Sequence, residues 1–522
     1  MHLLQCAMLQ AFLSGFAEKL ALMEVKVCTK KSKEWPDMQC TIFLNTEVPT
    51  FKIPTLASTG TISYTVNDHT GATIGQGQLD VKSSQTELSL PELPTDYYTL
   101  TILDHTSANA PGQTISFTVI SPFSPPRDDT YGVSTHFSSV NPLDATQQLA
   151  LMGASQVRED ALWADVETTK GVYDFGPIDR FMRAFQQSGL SPLLIIDYNN
   201  PLYDDGLTPH DEVGFTAYAN YAKALVNHYG QQLKAVEIYN EYNGKFSTGP
   251  GAHSPANYAQ MLRAAYQAIK SIRPDVTVVV GATFGIDLDW FKALFDAGAL
   301  AYTDVISVHP YSIVSVDTPE LRGLANDLQA LQNLITASNH GQMKPIWLTE
   351  LGWSDVLNIT NEFEQAHYLV RSIMLSLSVG IQKYFWYDYI NDGTNQLELE
   401  QNFGLLRLPG LAGYYTPKPS YTSFAVLIRL LAGRSFVAKE AAEFDVYHMR
   451  FSGNLHVLWS TPLHQKIALA SASPVTAISF TGKQQTLQPV NGEIVMYITS
   501  EPVYILTATE NIALRALEND VA

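Results

Sequence analysis

From residue 130 to about residue 390 the chain repeats one pattern, a short and nearly unbroken apolar run followed by a longer stretch whose apolar residues recur every three or four positions. The runs are TYGVSTHF (130–137), SQVRED (155–160), PLLIIDY (192–198), AVEIYNE (235–241), TVVVGAT (277–283), VISVHPY (305–311), PIWLTELGW (345–353) and KYFWYDY (383–389). A strand that is apolar at successive positions is buried on both faces, as in a parallel sheet covered by helices. Stretches such as FTAYANYAKALVNHYG and PANYAQMLRAAYQAIKSI supply the cover. Eight strand and helix units in one segment predict an α/β fold, a (β/α)8 TIM barrel. An open doubly wound sheet fits less well, because GVSTHFSS after the first strand lacks the glycine spacing of a dinucleotide site.

Outside this segment the period shortens to two. TISYTVND, ATIGQGQLDV, TELSLPEL and DYYTLTILD, broken by Gly, Asn, Asp and Pro, predict an antiparallel β-sandwich over 36–122. SPFSPPRDD (121–129) reads as a stiff linker, since proline fixes φ and cannot continue a ladder. The barrel is expected over 123–434, closing with a helix in KPSYTSFAVLIRLLAG (418–433) that Gly433 stops. DVYHMRFSG, LHVLWST, KIALASA and EIVMYIT then predict a second β-sandwich over 435–522, read as structural rather than as an extension of a groove. Residues 1–35 are an apolar segment that lacks a basic start and is interrupted by Glu18 and Lys19; it is a degenerate leader, an amphipathic helix or the product of a misplaced start.

Composition narrows the partners. With 32 Lys and Arg against 51 Asp and Glu, the net charge of −19 repels polyphosphate backbones and excludes nucleic acid. No apolar run is long enough for a membrane span, and nothing marks an obligate protein partner. Cys6, Cys28 and Cys40 all precede the folded body and lack the paired spacing of a zinc site or a disulfide framework. The histidines show no H-E-x-x-H or other close pairing, and DDGLTPHDE (204–212) reads as a solvated loop, so neither metal nor cofactor is expected.

In a barrel of this kind the chemistry sits at the C-terminal ends of the strands. The polar and aromatic residues there are His136, Arg158, Asn240 with Glu241, His309 with Tyr311, Glu350, and Trp386. Glu241 and Glu350 would face each other across the mouth. Two carboxyl groups in one cleft, one protonated and one ionised, are the means by which glycosidic bonds are cleaved. The bland alternative is a buried ion pair with Arg158 or a lysine. His309 reads equally as a satisfied core histidine, and Trp163, Trp347 and Trp353 as packing residues.

An Asn-Glu pair after strand four with a second Glu after strand seven resembles the signature of the retaining (β/α)8 glycoside hydrolases of clan A. Within it, VREDALWADVETTKGVYDFGPIDRFM (157–182) is similar to the strand-two segment of glycoside hydrolase family 39, and ISVHPYS and PIWLTELGWS fit the same group. The likeness extends to bacterial endo-hydrolases of secreted exopolysaccharides. What the resemblance implies is a polysaccharide or oligosaccharide substrate, with a periplasmic or extracellular location expected. Glu241 would be the acid/base, its pKa raised by desolvation and by the second carboxylate, and Glu350 the nucleophile. Asn240 would bind the sugar 2-hydroxyl, Arg158 keep Glu350 ionised, Tyr311 orient it, and Trp386 form a platform under the sugar. His136, Trp163 and His309 would line the site. Endo action within a polysaccharide, exo action of the β-xylosidase type, and non-catalytic sugar binding are the three readings, the last weakened by the presence of both carboxylates.

Overall fold

The computed structural model describes residues 41–55, 59–82, 85–105, 112–123, 127–311, 317–409, 413–441, 445–461 and 464–518; the N-terminal segment and the three cysteines lie outside them. The apolar runs form eight strands, β1 (Tyr131–Ser134), β2 (Gln156–Leu162), β3 (Ser191–Asp197), β4 (Ala235–Ile238), β5 (Thr277–Phe284), β6 (Val305–His309), β7 (Ile346–Leu351) and β8 (Lys383–Trp386). All pair in parallel and in chain order, and β8 pairs with β1 to close the barrel. Helices α1 (Thr146–Met152), α2 (Gly176–Ser188), α3 (Glu212–Tyr229), α4 (Pro255–Lys270), α5 (Leu288–Asp296), α6 (Leu324–Ser338), α7 (Glu362–Ser378) and α8 (Pro419–Leu431) cover it. The fold is the predicted (β/α)8 barrel.

Alternation along each strand divides its residues between two environments. Leu193, Ala235, Val279, Val305, Trp347 and Phe385 pack together inside the barrel, whereas Val157, Leu194, Val236, Ile306, Leu348 and Tyr384 join the larger core under the helices. Gly132 belongs to the inner set: a β-carbon there would lie 2.4 Å from the Phe385 ring, so glycine makes room for it. Two irregularities break the alternation near the mouth, between Val280 and Thr283 on β5 and between Leu348 and Leu351 on β7. A bulge re-aims the side chains beyond it. On β7 it turns Glu350 inward while Leu351 returns to the outer core.

Where the ladders end, strand carbonyls lose their partners, and an unpaired buried carbonyl is costly. Buried tyrosines of the helices take them up. Tyr221 of α3 donates to the Ala161 carbonyl and Tyr258 of α4 to the Ile238 carbonyl, each at 2.7 Å. The segment 204–212, expected as a solvated loop, is ordered instead: the Asp211 carboxylate caps α3 by accepting from Val213 N and Gly214 N, and the side chain of Asp204 is buried, accepting from His210 N. Helix N-termini with unpaired N–H groups favour acidic caps, which explains the acidic run better than solvation does.

The N-terminal β region is a five-stranded sheet in the order 42–44, 113–120, 96–104, 60–68, 73–81, beside a two-stranded ladder of 50–54 with 85–89. One pair departs from the antiparallel expectation, since Ile42–Leu44 runs parallel to Thr118–Ile120. The C-terminal region has a six-stranded and a three-stranded sheet. One face of its strands, with Met449, Phe451, Val457 and Trp459, belongs to the barrel's core cluster; the other, with Leu458, Ile467, Ile494 and Ile505, forms a core of its own.

One carboxylate joins barrel to C-terminal sheet. Glu320, after β6, pairs with buried Arg371 of α7, accepting from Nε at 2.9 Å and also from Nη2, while its Oε1 accepts the Trp459 indole N–H at 2.8 Å. The Trp459 ring in turn stacks on Tyr447 at 4.9 Å. Removing one partner of a buried ion pair leaves the other charge uncompensated, at a cost of about 3–5 kcal/mol. Glu320→Ala is therefore expected to lower stability by about that amount in denaturant titration, and Trp459→Phe, which loses one hydrogen bond, by about 1 kcal/mol. Equal and small effects would mean that Arg371 finds water in place of Glu320.

Candidate active site

The centre of the mouth is organised by Arg158, the third residue of β2, on the inner face and 4% exposed. Its fork reaches two strands and a turn. Nε donates to Glu237 Oε2 of β4 at 2.7 Å, Nη1 to Glu350 Oε2 of β7 at 3.1 Å, and Nη2 to Asn240 Oδ1 at 2.8 Å. Asn240 passes its own Nδ2 hydrogen to the Tyr198 hydroxyl at 3.0 Å. Tyr311 donates to the other oxygen of Glu350 at 3.2 Å.

The predicted strand to residue 241 ends at Ile238. Tyr239 and Glu241 both have positive φ, 62° and 43°, which ends the ladder and turns both side chains of the Asn-Glu pair toward the cleft. Such backbone is sparsely populated outside glycine and tends to collect at functional sites. It is held by the Glu241 amide, which donates to the Ala282 carbonyl at 2.8 Å, and by Gly244 N, which donates to the Glu241 carbonyl at 2.8 Å.

Glu241 and Glu350 meet at His309, which is fully buried. Its Nδ1 lies 3.0 Å from Glu241 Oε1 and 3.3 Å from Glu350 Oε2, and Nε2 lies 3.1 Å from Thr349 Oγ1. The facing atoms of Glu241, His309 and Glu350 all fall within 4.8 Å of one another. Burial pushes His309 down to about 4, so the ring is neutral; two carboxyl groups at Nδ1 favour the tautomer that carries its hydrogen there. Burial also pushes Glu241 up to about 7, with only the charges of Arg158 and Lys245 opposing. The repulsion between the two carboxyl groups acts at Glu350, which the charge of Glu241 pushes up. Glu350 is raised by burial too, but His309, Arg158 and the Tyr311 hydroxyl all favour its ionised form.

His136 lies at the rim. Its Nδ1 is 3.1 Å from Asp392 Oδ1 and 3.7 Å from Asp388 Oδ2. Burial alone would lower its pKa, but the bond to Asp392 and the charge of Asp388 push it up to about 10, which makes His136 and Asp392 an ion pair; burial pushes Asp388 itself well above the usual carboxylate range. The donor atoms of these three, like those of the Glu241, His309 and Glu350 set, are near enough to hold a cation, a proximity invisible in the sequence because the donors come from different strands.

Two expected site residues are not in the cleft. Trp386 lies on the outer face of β8 with Tyr384, fully buried, its ring stacked on Trp353 at 6.3 Å. The inward position is the next residue, Tyr387, whose half-buried ring packs edge-on against His136 at 5.7 Å and Tyr311 at 6.4 Å. Trp163 is also fully buried, between Tyr203 and Tyr221, and donates to Glu167 Oε2 at 2.6 Å. Glu167 further accepts from Gly171 N and the Tyr203 hydroxyl, so the Trp and Glu of the strand-two motif hold a loop.

Glu237, Glu159, Tyr198 and Tyr387 were not anticipated. Glu159, on the outer face beside Arg158, accepts from Thr135, Phe137 N and Ser138 N and so fixes the segment that carries His136. A Glu inside an apolar strand, as Glu237 is, was the available signal.

Residues 211–406, which contain both carboxylates, match the family model described as "Glycosyl hydrolase catalytic core". No curated protein matches the chain. Among solved structures, the chain is similar to a family 39 glycoside hydrolase from the gut symbiont Bacteroides cellulosilyticus WH2, with 22% identity, TM-score 0.77, and coverage of 90% of this chain and 99% of that one. A monomeric β-xylosidase from Caulobacter crescentus CB15 follows at 17% identity and TM-score 0.51, covering 74% and 97%. A family 30 subfamily 8 xylanase from Clostridium acetobutylicum has 13% identity and TM-score 0.52, covering 73% and 97%. The fold of family 39 read from the motifs is the fold observed.

Arg158→Lys keeps the charge but cannot span three acceptors on β4, the turn after it and β7. Each buried acceptor left open costs about 1–3 kcal/mol, so denaturant titration is expected to show a loss in that range or above. Wild-type stability in the variant would mean that cleft water replaces the fork.

Proposed function

We propose that this protein is a retaining glycoside hydrolase that cuts bonds within a polysaccharide by double displacement, with Glu241 as acid/base and Glu350 as nucleophile. The observation that carries the reading is the carboxylate pair itself: two groups within 4.8 Å at their facing oxygens, bridged by one neutral histidine. Retaining enzymes hold their two carboxyl groups about 5–5.5 Å apart, too close for a water between them and near enough for direct attack. The unequal surroundings support the roles. Glu241, raised to about 7 by burial, holds a proton where an ordinary Glu has lost it, while Glu350 is stabilised as an anion by Arg158 and Tyr311.

In the first step Glu350 attacks the anomeric carbon as the bond to the glycosidic oxygen breaks, and Glu241 gives that oxygen its proton. An ester between Glu350 and the sugar results, and the leaving saccharide departs with a free hydroxyl. In the second, ionised Glu241 takes a proton from water, the water oxygen attacks the same carbon, and Glu350 leaves as carboxylate. Asn240 is suited to the 2-hydroxyl, and Tyr387 takes the platform role assigned to Trp386, with its ring on the inner face. The β-xylosidase named above makes exo action the competing reading.

The test is a screen of xylan, glucomannan, galactan and bacterial exopolysaccharide by product size. Oligosaccharides early in the digest support internal cleavage, and monosaccharide alone would support the exo reading. Glu241→Gln and Glu350→Gln are each expected to lose at least about 10²–10⁴-fold in kcat/KM; wild-type rates in both would remove the assignment.

The pH profile gives a second check. Activity needs Glu241 protonated and Glu350 ionised, so kcat/KM is expected to fall above about pH 7 as Glu241 deprotonates and to fall at the acid side as Glu350 protonates. Tyr311→Phe removes a bond that favours ionised Glu350, so its acid limb should move to higher pH while the alkaline limb stays. A profile unchanged at both limbs would separate Tyr311 from Glu350.

A further inference from the structure

Phe284, at the end of β5, is 41% exposed, yet its backbone is locked. Its N–H donates to Asn243 Oδ1 at 2.9 Å, and Asn243 Nδ2 donates back to its carbonyl at 3.0 Å. The following amide, Gly285 N, donates to the His309 carbonyl at 2.8 Å. Single exposed apolar residues are common and need no explanation. Here three further observations converge. Asn243 stands two residues after Glu241, so the proposed acid and this ring are set by one short segment. The ring lies nearly parallel to that of Tyr311, at 22° and 6.4 Å between centroids, and Tyr311 holds Glu350. Both rings line a cavity of about 360 Å³ edged by Asp287, Arg322 and Asp327. Flat apolar faces beside carboxylates and a guanidinium suit a sugar ring, whose C–H faces pack on aromatics while its hydroxyls bond to the charged groups.

The side of the cleft follows from the chemistry of the acid. Glu241 delivers its proton to the leaving oxygen, so the leaving saccharide lies on the acid's flank. Phe284 is on that flank: a β-carbon on Gly244, in the turn closed by Glu241, would come within 3.7 Å of the Phe284 β-carbon. We propose that Phe284 and Tyr311 form the binding platform for the first sugar of the leaving saccharide, with Asp287, Arg322 and Asp327 receiving the hydroxyls of that sugar or the next. The proposal rests on Glu241 being the acid. It makes Phe284 a determinant of how the polymer is held beyond the bond that breaks, and gives the cleft a second arm as internal cleavage requires.

The experiment compares two substrates that share the sugar retained by the enzyme. One is the hexasaccharide of whichever polysaccharide in the screen is cut; the other is the β-glycosyl fluoride of the sugar it contains, whose leaving atom is too small to reach Phe284. Phe284→Ala is expected to lower kcat/KM on the hexasaccharide about tenfold and change fluoride hydrolysis by no more than about twofold, with Phe284→Trp near wild type on both. An unchanged melting temperature, expected for an exposed side chain, shows that the fold is intact. Equal losses on both substrates would make Phe284 a support for Glu350 or the retained sugar and overturn the proposal, as would an undiminished rate on the hexasaccharide; a displaced alkaline limb in the hexasaccharide pH profile, which reports Glu241, would overturn it too by making Phe284 a support for the acid. Fluoride hydrolysis that survives in Glu350→Gln would strike at the catalytic reading instead, and leaves a distinct signature from either result with Phe284.

Discussion

The mouth of this barrel depends on one buried cation. Arg158 cannot lose its proton, and inside a closed ring of strands it cannot reach bulk water, so it must be answered where it stands. Its three partners come from beyond β2, from the inside of β4, from the turn after β4 and from β7. A planar fork fixes directions as well as distances. The position of Glu350 is therefore inherited from a structural necessity, because together with Glu237 it answers the charge of Arg158, and the charge that does so is the one the proposed nucleophile needs.

Burial then divides the labour. Both carboxyl groups are taken from water, which favours the neutral form of each; Arg158 and Lys245 act on Glu241 through charge, whereas Glu350 accepts hydrogen bonds from the Arg158 guanidinium and the Tyr311 hydroxyl. His309 contributes without charge: burial keeps it neutral, so it offers a hydrogen to the pair without adding a positive charge that would ionise both. A histidine in ordinary solvent at that position would respond to pH across the working range and blur the difference between the two acids.

Much of this could be read from the residues in order. Continuous apolar runs showed the strands, and polar residues at their ends showed Arg158, Asn240, Glu241, His309, Tyr311 and Glu350, which the structure brings into one cluster. What could not be read was which way a strand faces. In a strand buried on both sides no polar alternation marks the inner face, so KYFWYDY offers Trp386 and Tyr387 with equal plausibility, and the register of Phe385 against Gly132 decides between them. The bulge on β7 that turns Glu350 inward is likewise set by pairing with β8 and leaves no trace in PIWLTELGW itself. Trp163 failed for a related reason: its motif partner Glu167 is a hydrogen-bond acceptor for a loop, and conspicuous residues at a strand end serve architecture as readily as substrate.

The tyrosines that close the strand ends have a consequence for how such a scaffold can diversify. The Ala161 carbonyl near the end of β2 and the Ile238 carbonyl at the end of β4 are satisfied by hydroxyls of Tyr221 and Tyr258 on the helices behind them, so these two ladders end on the helix layer. Where a connecting segment does lend a donor it does so in its first few residues, as Glu241 N does to the Ala282 carbonyl and Gly285 N to the His309 carbonyl, so change beyond those anchors leaves the strands paired. What lies above the mouth is thereby free to vary at little cost to the folding of the ring beneath it.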